Sequence, residues 1–521
     1  MIAIGQEDQK MTKVDTTAGT VVGMTERKVL AFKGIPFAAA PVGARRFLPP
    51  QPVPAWTGER NATQFGALAR QSSFELEQFM GGGDMAQSED CLTLNVWTPA
   101  VDDARRPVLF WIHGGAFFSG GAAIPWYNGG GLARRGDAVV VSCQYRMGAF
   151  GFLQLRHLLG DDYSSSGNLG ILDQIAALEW VRDNIAGFGG DPSNVTVFGE
   201  SAGGMSIGTL LGTPAARGLF HRAIAQSGAA QAVSEIGHAE AVTAKVIDEA
   251  GLTAATAHKL LEIDAETLNA AQDAVVSEMF EESVENARRG NLGMPFQPVH
   301  DGVVLPDHPL DAVRRGDAAG VPLLIGTTKD EMRLFTLFSP RLQGDDESAL
   351  VSLASVIFGS EDDGRAAFES YRSRRPGASP SDIFNDMLTD YVFRIPAIRL
   401  AEAQSAHQPQ TRMYRFSWEA SIMGLDLRAF HGIDILFCFD NVRMPGMEMI
   451  FGDRVEAAHG LGANTSEAWL AFARSGDPSH HGLPAWPAYD TDQRATMDLD
   501  AECSLLSDPG AEDRALWDGV R

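Results

Sequence analysis

The run Gly199-Glu200-Ser201-Ala202-Gly203 places a serine between two glycines, directly after the apolar stretch Asn194–Phe198. The next residues, Gly204-Met205-Ser206-Ile207, can begin a helix. A serine on a sharp strand-to-helix turn carries its hydroxyl clear of the backbone, where it can attack an acyl carbon. Such a turn is strained, and Gly199 and Gly203 remove side chains that would collide with the neighbouring strand and helix. A second run, His113-Gly114-Gly115-Ala116-Phe117, closes another apolar stretch. Small consecutive residues let backbone N–H groups converge on the oxyanion that forms when serine attacks a carbonyl. Either run alone is an ordinary turn; together they point to nucleophilic acyl transfer.

That chemistry needs a rigid platform. Pro107–Ile112, Ala138–Cys143, Asn194–Phe198, Arg222–Ala225 and Val321–Ile325 are short apolar runs ending in Gly or polar residues, as buried parallel strands should be. Met413–Trp418 is a further strand with more alternation. Ile171, Ile175, Leu178 and Val181 predict an amphipathic helix over Ile171–Ile185, with Gly187 as its stop. Helices alternating with buried strands predict an α/β fold, a mainly parallel sheet covered on both faces. The stretches 232–320 and 340–410 are rich in helix formers and are expected to be helical insertions within one domain spanning 1–521. Segments 72–88 and 376–381 are expected to be surface loops.

Composition narrows the partners. Forty-two Lys+Arg against 67 Asp+Glu give a net charge of −25, a poor match for phosphate backbones or anionic lipid. Nucleic acid and membrane are therefore not expected as partners; a small-molecule substrate is, with a monomer favoured. The N-terminus has no basic n-region and no long apolar stretch, so it does not read as a signal peptide. Cys91, Cys143, Cys438 and Cys503 form no CxxC pair and no zinc spacing. Neither cofactor nor metal is expected, and the location predicted is cytoplasmic.

Longer matches carry a resemblance. Residues 188–203, FGGDPSNVTVFGESAG, and 89–97, EDCLTLNVW, are similar to two signatures of the type-B carboxylesterases, the cholinesterase-like branch of the α/β-hydrolases. Residues 32–37, FKGIPF, with Pro41-Val42-Gly43 and Arg46-Phe47, resemble the N-terminal opening of that family, and Trp486-Pro487-Ala488-Tyr489 its C-terminal end. The chain thus looks like a bacterial, para-nitrobenzyl-esterase-like member along nearly its whole length.

The resemblance implies an α/β-hydrolase fold and a serine carboxylesterase with chain order Ser, acid, His. The acid carries over to Glu331 of Gly326-Thr327-Thr328-Lys329-Asp330-Glu331; the residues alone leave Asp330 and Glu331 open. The histidine carries over to His431 in Phe430-His431-Gly432-Ile433-Asp434. Among His407, His431, His459, His480 and His481, only His431 follows a strand through a short loop amid apolar neighbours. Gly115, Ala116 and Ala202 are implied as oxyanion donors. Arg46 with Glu89 and Arg146 with Asp173 resemble buried scaffold pairs, and Ser227 a buried serine behind the site. Glu200 sets a second carboxylate beside the nucleophile, either to support an imidazolium or merely to bind backbone.

Two departures bear on the reading. Many relatives have three glycines where this chain has Gly114-Gly115-Ala116, and secreted relatives pair a cysteine at the position of Cys91 with an earlier one that this chain lacks. The expected activity is hydrolysis of short to medium acyl esters of aryl or alkyl alcohols through an acyl-enzyme on Ser201. The alternatives are amide or carbamate hydrolysis by the same residues, or a non-catalytic cholinesterase-like binding protein. Phe117, Phe118, Trp126, Met205, Phe335 and Phe338 are expected to wall a deep apolar pocket.

Overall fold

The structure is a computed structural model that describes residues 10–71, 80–83, 85–281, 294–337, 346–422 and 424–520. Thirteen strands share one sheet: β1 (Met11–Thr16), β2 (Gly19–Glu26), β3 (Val29–Pro36), β4 (Glu59–Asn61), β5 (Thr93–Thr98), β6 (Arg106–Ile112), β7 (Val139–Cys143), β8 (Gly190–Glu200), β9 (Arg222–Gln226), β10 (Leu323–Thr328), β11 (Thr411–Phe416), β12 (Ala495–Leu499) and β13 (Ser504–Ser507). The order is β1-β2-β3-β5-β7-β6-β8-β9-β10-β11-β12-β13, with β4 on β2. Pairing is parallel from β7 through β12 and antiparallel at both flanks, apart from β4, which pairs β2 in parallel. The mainly parallel central sheet is the one the residue pattern predicts, and its arrangement is that of the α/β-hydrolase fold the resemblance implies.

The parallel strands are apolar on both sides because each side is covered. Along β6, Val108, Phe110 and Ile112 enter one apolar cluster, while Leu109 and Trp111 enter the cluster on the opposite face. Each buried apolar side chain contributes about 1.5–3 kcal/mol relative to exposure, so the alternation anchors the register on both faces. The six predicted strands are all present; the last is displaced, running Thr411–Phe416, with Trp418 beyond its end and buried under Arg454.

Helix α1 (Leu169–Asn184) lies where the spacing predicts a helix, but it is not amphipathic. Its polar Asp173, Gln174 and Asn184 are buried too, held by Arg146, Ser206 and the Thr17 N–H. It runs on as a 3-10 turn to Phe188, and the left-handed residue that ends it is Gly189, φ +80, instead of Gly187. Helix α2 (Ala202–Gly212) starts at the residue after Ser201 and is wholly buried.

Between β9 and β10 the described residues form helices at Ile236–Glu249, Ala265–Glu281 and Pro309–Arg314; residues 282–293 of the predicted insertion lie outside the described residues. Between β10 and β11 come α3 (Met332–Leu337), helices at Glu347–Phe358 and Glu361–Ser373, then α4 (Pro380–Thr389), a π turn at Asp390–Arg394 and a helix at Ile395–Ser405. Leu350, Phe368, Tyr371, Ile383 and Phe384 give this stretch an apolar cluster of its own. The loop expected at 376–381 ends early: Ser379 caps α4 by accepting the Asp382 N–H at 3.1 Å, and Pro380 takes the first helical position. Of the loop expected at 72–88, residues 72–79 and 84 lie outside the described residues. Among the described residues no helix is long and apolar enough to cross a membrane.

Candidate active site

Strand β8 ends at Glu200, and Ser201 follows at φ +57, ψ −125, a left-handed backbone rare for a side chain with a Cβ. Its N–H donates to the Gln226 carbonyl at 3.0 Å, and its carbonyl accepts from Met205 N–H at 2.8 Å, so the turn is clamped on both sides. The glycines are obligatory for the reason anticipated. A Cβ on Gly203 would sit 2.0 Å from the Ile112 carbonyl of β6, and one on Gly199 2.6 Å from the same oxygen. Neither neighbour is a side chain that could swing away.

The loop after β6 lies against that turn, since a Cβ on Gly114 would stand 2.9 Å from Ser201 Cβ. Gly115, Ala116 and Phe117 then have φ of +111°, +51° and +63°, three left-handed residues in succession. The bend is held by Phe118 and Ser119 N–H groups on the Gly115 carbonyl and by Gln71, whose amide bonds Gly120 in both directions at 2.7 Å. Among the described residues the N–H groups of Gly115, Ala116 and Ala202 donate to no protein acceptor. Free N–H groups on a strained loop and at a helix start form a cradle suited to an anionic oxygen. His113, fully buried and stacked on Tyr145, sits with Nδ1 2.8 Å from the Gly114 carbonyl. Burial pushes its imidazole down to about 4, so it is neutral.

Glu331 lies just past β10 and is wholly buried. Its Oε1 accepts the Thr328 N–H at 2.8 Å, and its Oε2 stands 2.6 Å from His431 Nδ1. Asp330 faces elsewhere: its Oδ2 accepts the Ala429 N–H at 3.3 Å, while its own N–H donates to the Ala429 carbonyl at 3.0 Å. Of the two neighbouring carboxylates that the residue types leave open, only Glu331 meets the imidazole.

His431 is also buried, whereas His407 and His481 are exposed and His459 and His480 half-buried. Its Nε2 is 3.0 Å from Glu200 Oε1, a close ionic approach off the line of an aligned hydrogen bond. Glu200 therefore reaches the imidazole itself and not only backbone. Burial alone would push this imidazole down, but the Glu200 and Glu331 carboxylates outweigh it and hold it up at about 9.

Of the side chains expected to wall the pocket, Phe335 is the one whose ring meets the imidazole among the described residues. Phe335 lies 5.0 Å from the His431 ring. Phe117 is edge-on to Phe152, Phe118 and Met205 are buried in the same apolar cluster, Trp126 belongs to the cluster on the other sheet face, and Phe338 lies outside the described residues. Sequence reasoning missed Phe393, whose ring is 4.8 Å from His431 and comes from the π turn, which has no motif. It also missed a buried chain behind the histidine: Trp469 donates to Gln226, and Gln226 and Tyr414 both donate to Asp434. Burial pushes the Asp434 carboxyl up to about 6 despite those donors. Asp434 stands three residues after His431 inside the His-Gly-Ile-Asp run, and that proximity was the available signal.

The scaffold pairs are formed. Arg46 is bidentate to Glu89 at 2.8 and 2.5 Å, and Arg146 to Asp173 at 2.8 and 2.7 Å. Ser227 is buried, with its N–H on the Gly326 carbonyl.

A model of the carboxylesterase family matches residues 10–517. The para-nitrobenzyl esterase of Bacillus subtilis is 39% identical over 503 residues, covering 96% of this chain and 97% of that one. The phenmedipham hydrolase of Pseudarthrobacter oxydans is 34% identical over 502 residues, covering 95% of each. A crystal structure of a Geobacillus stearothermophilus carboxylesterase superposes with a TM-score of 0.86 at 42% identity, covering 97% of this chain and all of that one.

Proposed function

This chain belongs to the carboxylesterase family, whose members hydrolyse esters, and from that premise we propose that Ser201, His431 and Glu331 carry the reaction. Ser201 attacks the ester carbonyl while His431 Nε2 takes its proton. The N–H groups of Gly115, Ala116 and Ala202 hold the oxyanion. His431 returns the proton to the departing alcohol, and water repeats the sequence on the acyl-enzyme. Glu331 keeps the proton on Nδ1, so that Nε2 is the basic nitrogen. Glu200 favours the imidazolium of the tetrahedral intermediate, and it also competes for Nε2 in the resting state.

The observation that carries this reading is the buried contact of 2.6 Å between Glu331 and His431, with the serine-bearing turn on the other side of the same ring. The experiment is covalent trapping: a radiolabelled organophosphate should modify one residue stoichiometrically, Ser201, and Ser201→Ala should lose both label and turnover while unfolding at an unchanged temperature. Label on another serine would overturn the assignment.

The substrates proposed are short to medium acyl esters of aryl or alkyl alcohols. One domain with helical insertions and a cytoplasmic location belong to the same proposal; the free cysteines, three of them buried, support a reducing compartment.

A further inference from the structure

Glu331 and His431 come from separate parts of the chain, yet their side chains meet at 2.6 Å. The loop after β10 and the loop after the hairpin Ala420–Ile422/Leu425–Arg428 must therefore be held in register. The reciprocal Asp330–Ala429 hydrogen bonds do part of this. A second joint lies outside the site. Asp382, in the first turn of α4, pairs through Oδ1 with Arg333 and through Oδ2 with Arg428 at 3.1 Å. Arg333 stands two residues after Glu331, and Arg428 three before His431.

Each partner is itself constrained. Arg428 has φ +50, a left-handed conformation that a side-chain-bearing residue keeps only where its surroundings hold it. Its guanidinium also approaches Asp330 at 3.8 Å. Asp382 is fixed by the Ser379 cap, and at its other end α4 offers Thr389 Oγ1 to the Met332 N–H at 3.2 Å. Helix α4 thus grips the acid-bearing segment at two points and the histidine-bearing segment at one.

We propose that Asp382 is a positioning residue for the reaction: by accepting from Arg333 and Arg428 together, it fastens the acid loop and the histidine loop to one helix and sets the contact between Glu331 and His431. It touches no reacting atom. An ordinary exposed ion pair would leave the rate untouched when broken. A shared acceptor is different, because one substitution removes a tether from both loops at once, and small displacements of a catalytic pair are costly in rate. The inference rests on the reading of Glu331 and His431 as the working pair.

The test uses the full chain and p-nitrophenyl butanoate. Asp382→Asn should lower kcat about tenfold with KM within about twofold, the split expected when only transition-state geometry suffers. Arg428→Gln should behave alike, and the double variant should be no slower than the worse single, since the residues act as one unit. Asp382→Glu should restore part of kcat. The far-downfield proton resonance of His431 Nδ1–H should shift or broaden in Asp382→Asn, which a remote loss of stability alone would not cause. An unchanged kcat, a loss confined to KM, or a slowed variant with an unmoved resonance would each overturn the proposal. Glu331→Gln is measured alongside: if it kept full activity, the reading of the pair itself would fall, and this inference with it.

Discussion

Glu200 Oε1 stands 3.0 Å from His431 Nε2, the nitrogen proposed to take the serine proton. With Glu331 on Nδ1, the ring has a carboxylate at each nitrogen, and its basicity rises to about 9. Only the neutral ring can act as base. In the wild type, kcat/KM should therefore climb about tenfold per pH unit and level off only in the alkaline range. Glu200→Gln removes the largest of the charges that raise the ring's basicity, so its acid limb should move to lower pH. Its plateau should fall by about tenfold, because the imidazolium intermediate loses a partner. Paired pH profiles of kcat/KM decide this, and coincident limbs would mean that Glu200 does not act on the ring.

The two adjacent carboxylates give a sharp contrast. Glu331→Gln keeps an acceptor for one N–H but no charge for the imidazolium, so kcat should fall by about 10³–10⁴ with little change in melting temperature. Asp330→Asn leaves an amide oxygen that can still accept the Ala429 N–H, and should cost kcat about tenfold or less. Steady-state kinetics on both variants checks the ranking. The reverse order would move the acid to Asp330.

How much of this is legible in the sequence depends on how local each determinant is. The serine turn and the strands around it are written in contiguous residues, because a strand buried on both faces has to be apolar throughout. Helix α1 departs from the amphipathic pattern because Asp173, Gln174 and Asn184 are buried with its apolar side chains. Asp173 is legible as buried only through the resemblance, because its partner Arg146 lies on a different element. Glu331 and Asp330 are separated only by their partners in space, Thr328 and His431 for one, Ala429 for the other. Phe393 and Asp382 leave no mark in the sequence, the first on a π turn and the second with its partners on two distant loops.

The glycines beside the serine should tolerate nothing larger. Gly203→Ala places a methyl 2.0 Å from the Ile112 carbonyl, inside the junction of β6 and α2. Both sides are backbone, so the clash should destabilise by more than about 3 kcal/mol, enough to lose soluble protein or sharply lower the melting temperature. Gly114→Ala meets Ser201 Cβ at 2.9 Å and the Glu200 carbonyl at 2.8 Å. Here the damage should fall on kcat, because the displaced group is the nucleophile. Calorimetry and kinetics on the two variants separate these outcomes, and a folded, active Gly203→Ala would contradict the packing described.

The rings of Phe335 and Phe393 bear on which esters fit. They stand 5.0 and 4.8 Å from His431, the residue proposed to protonate the departing alcohol oxygen. On the proposed reading they border the alcohol side of the scissile bond, and aryl alcohols should stack well there. Each acyl methylene buried on the other side should contribute up to ~0.8 kcal/mol, about fourfold in kcat/KM, until the pocket is full. Overpacking then reverses the gain. Along p-nitrophenyl esters, kcat/KM should rise from acetate to roughly butanoate or hexanoate and then fall. Phe393→Leu should widen the range of alcohols accepted in a series of alkyl butanoates while leaving the acyl optimum where it was. A displaced acyl optimum with an unchanged alcohol range would put the two rings on the acyl side. A rate still climbing at palmitate would remove the closed pocket altogether.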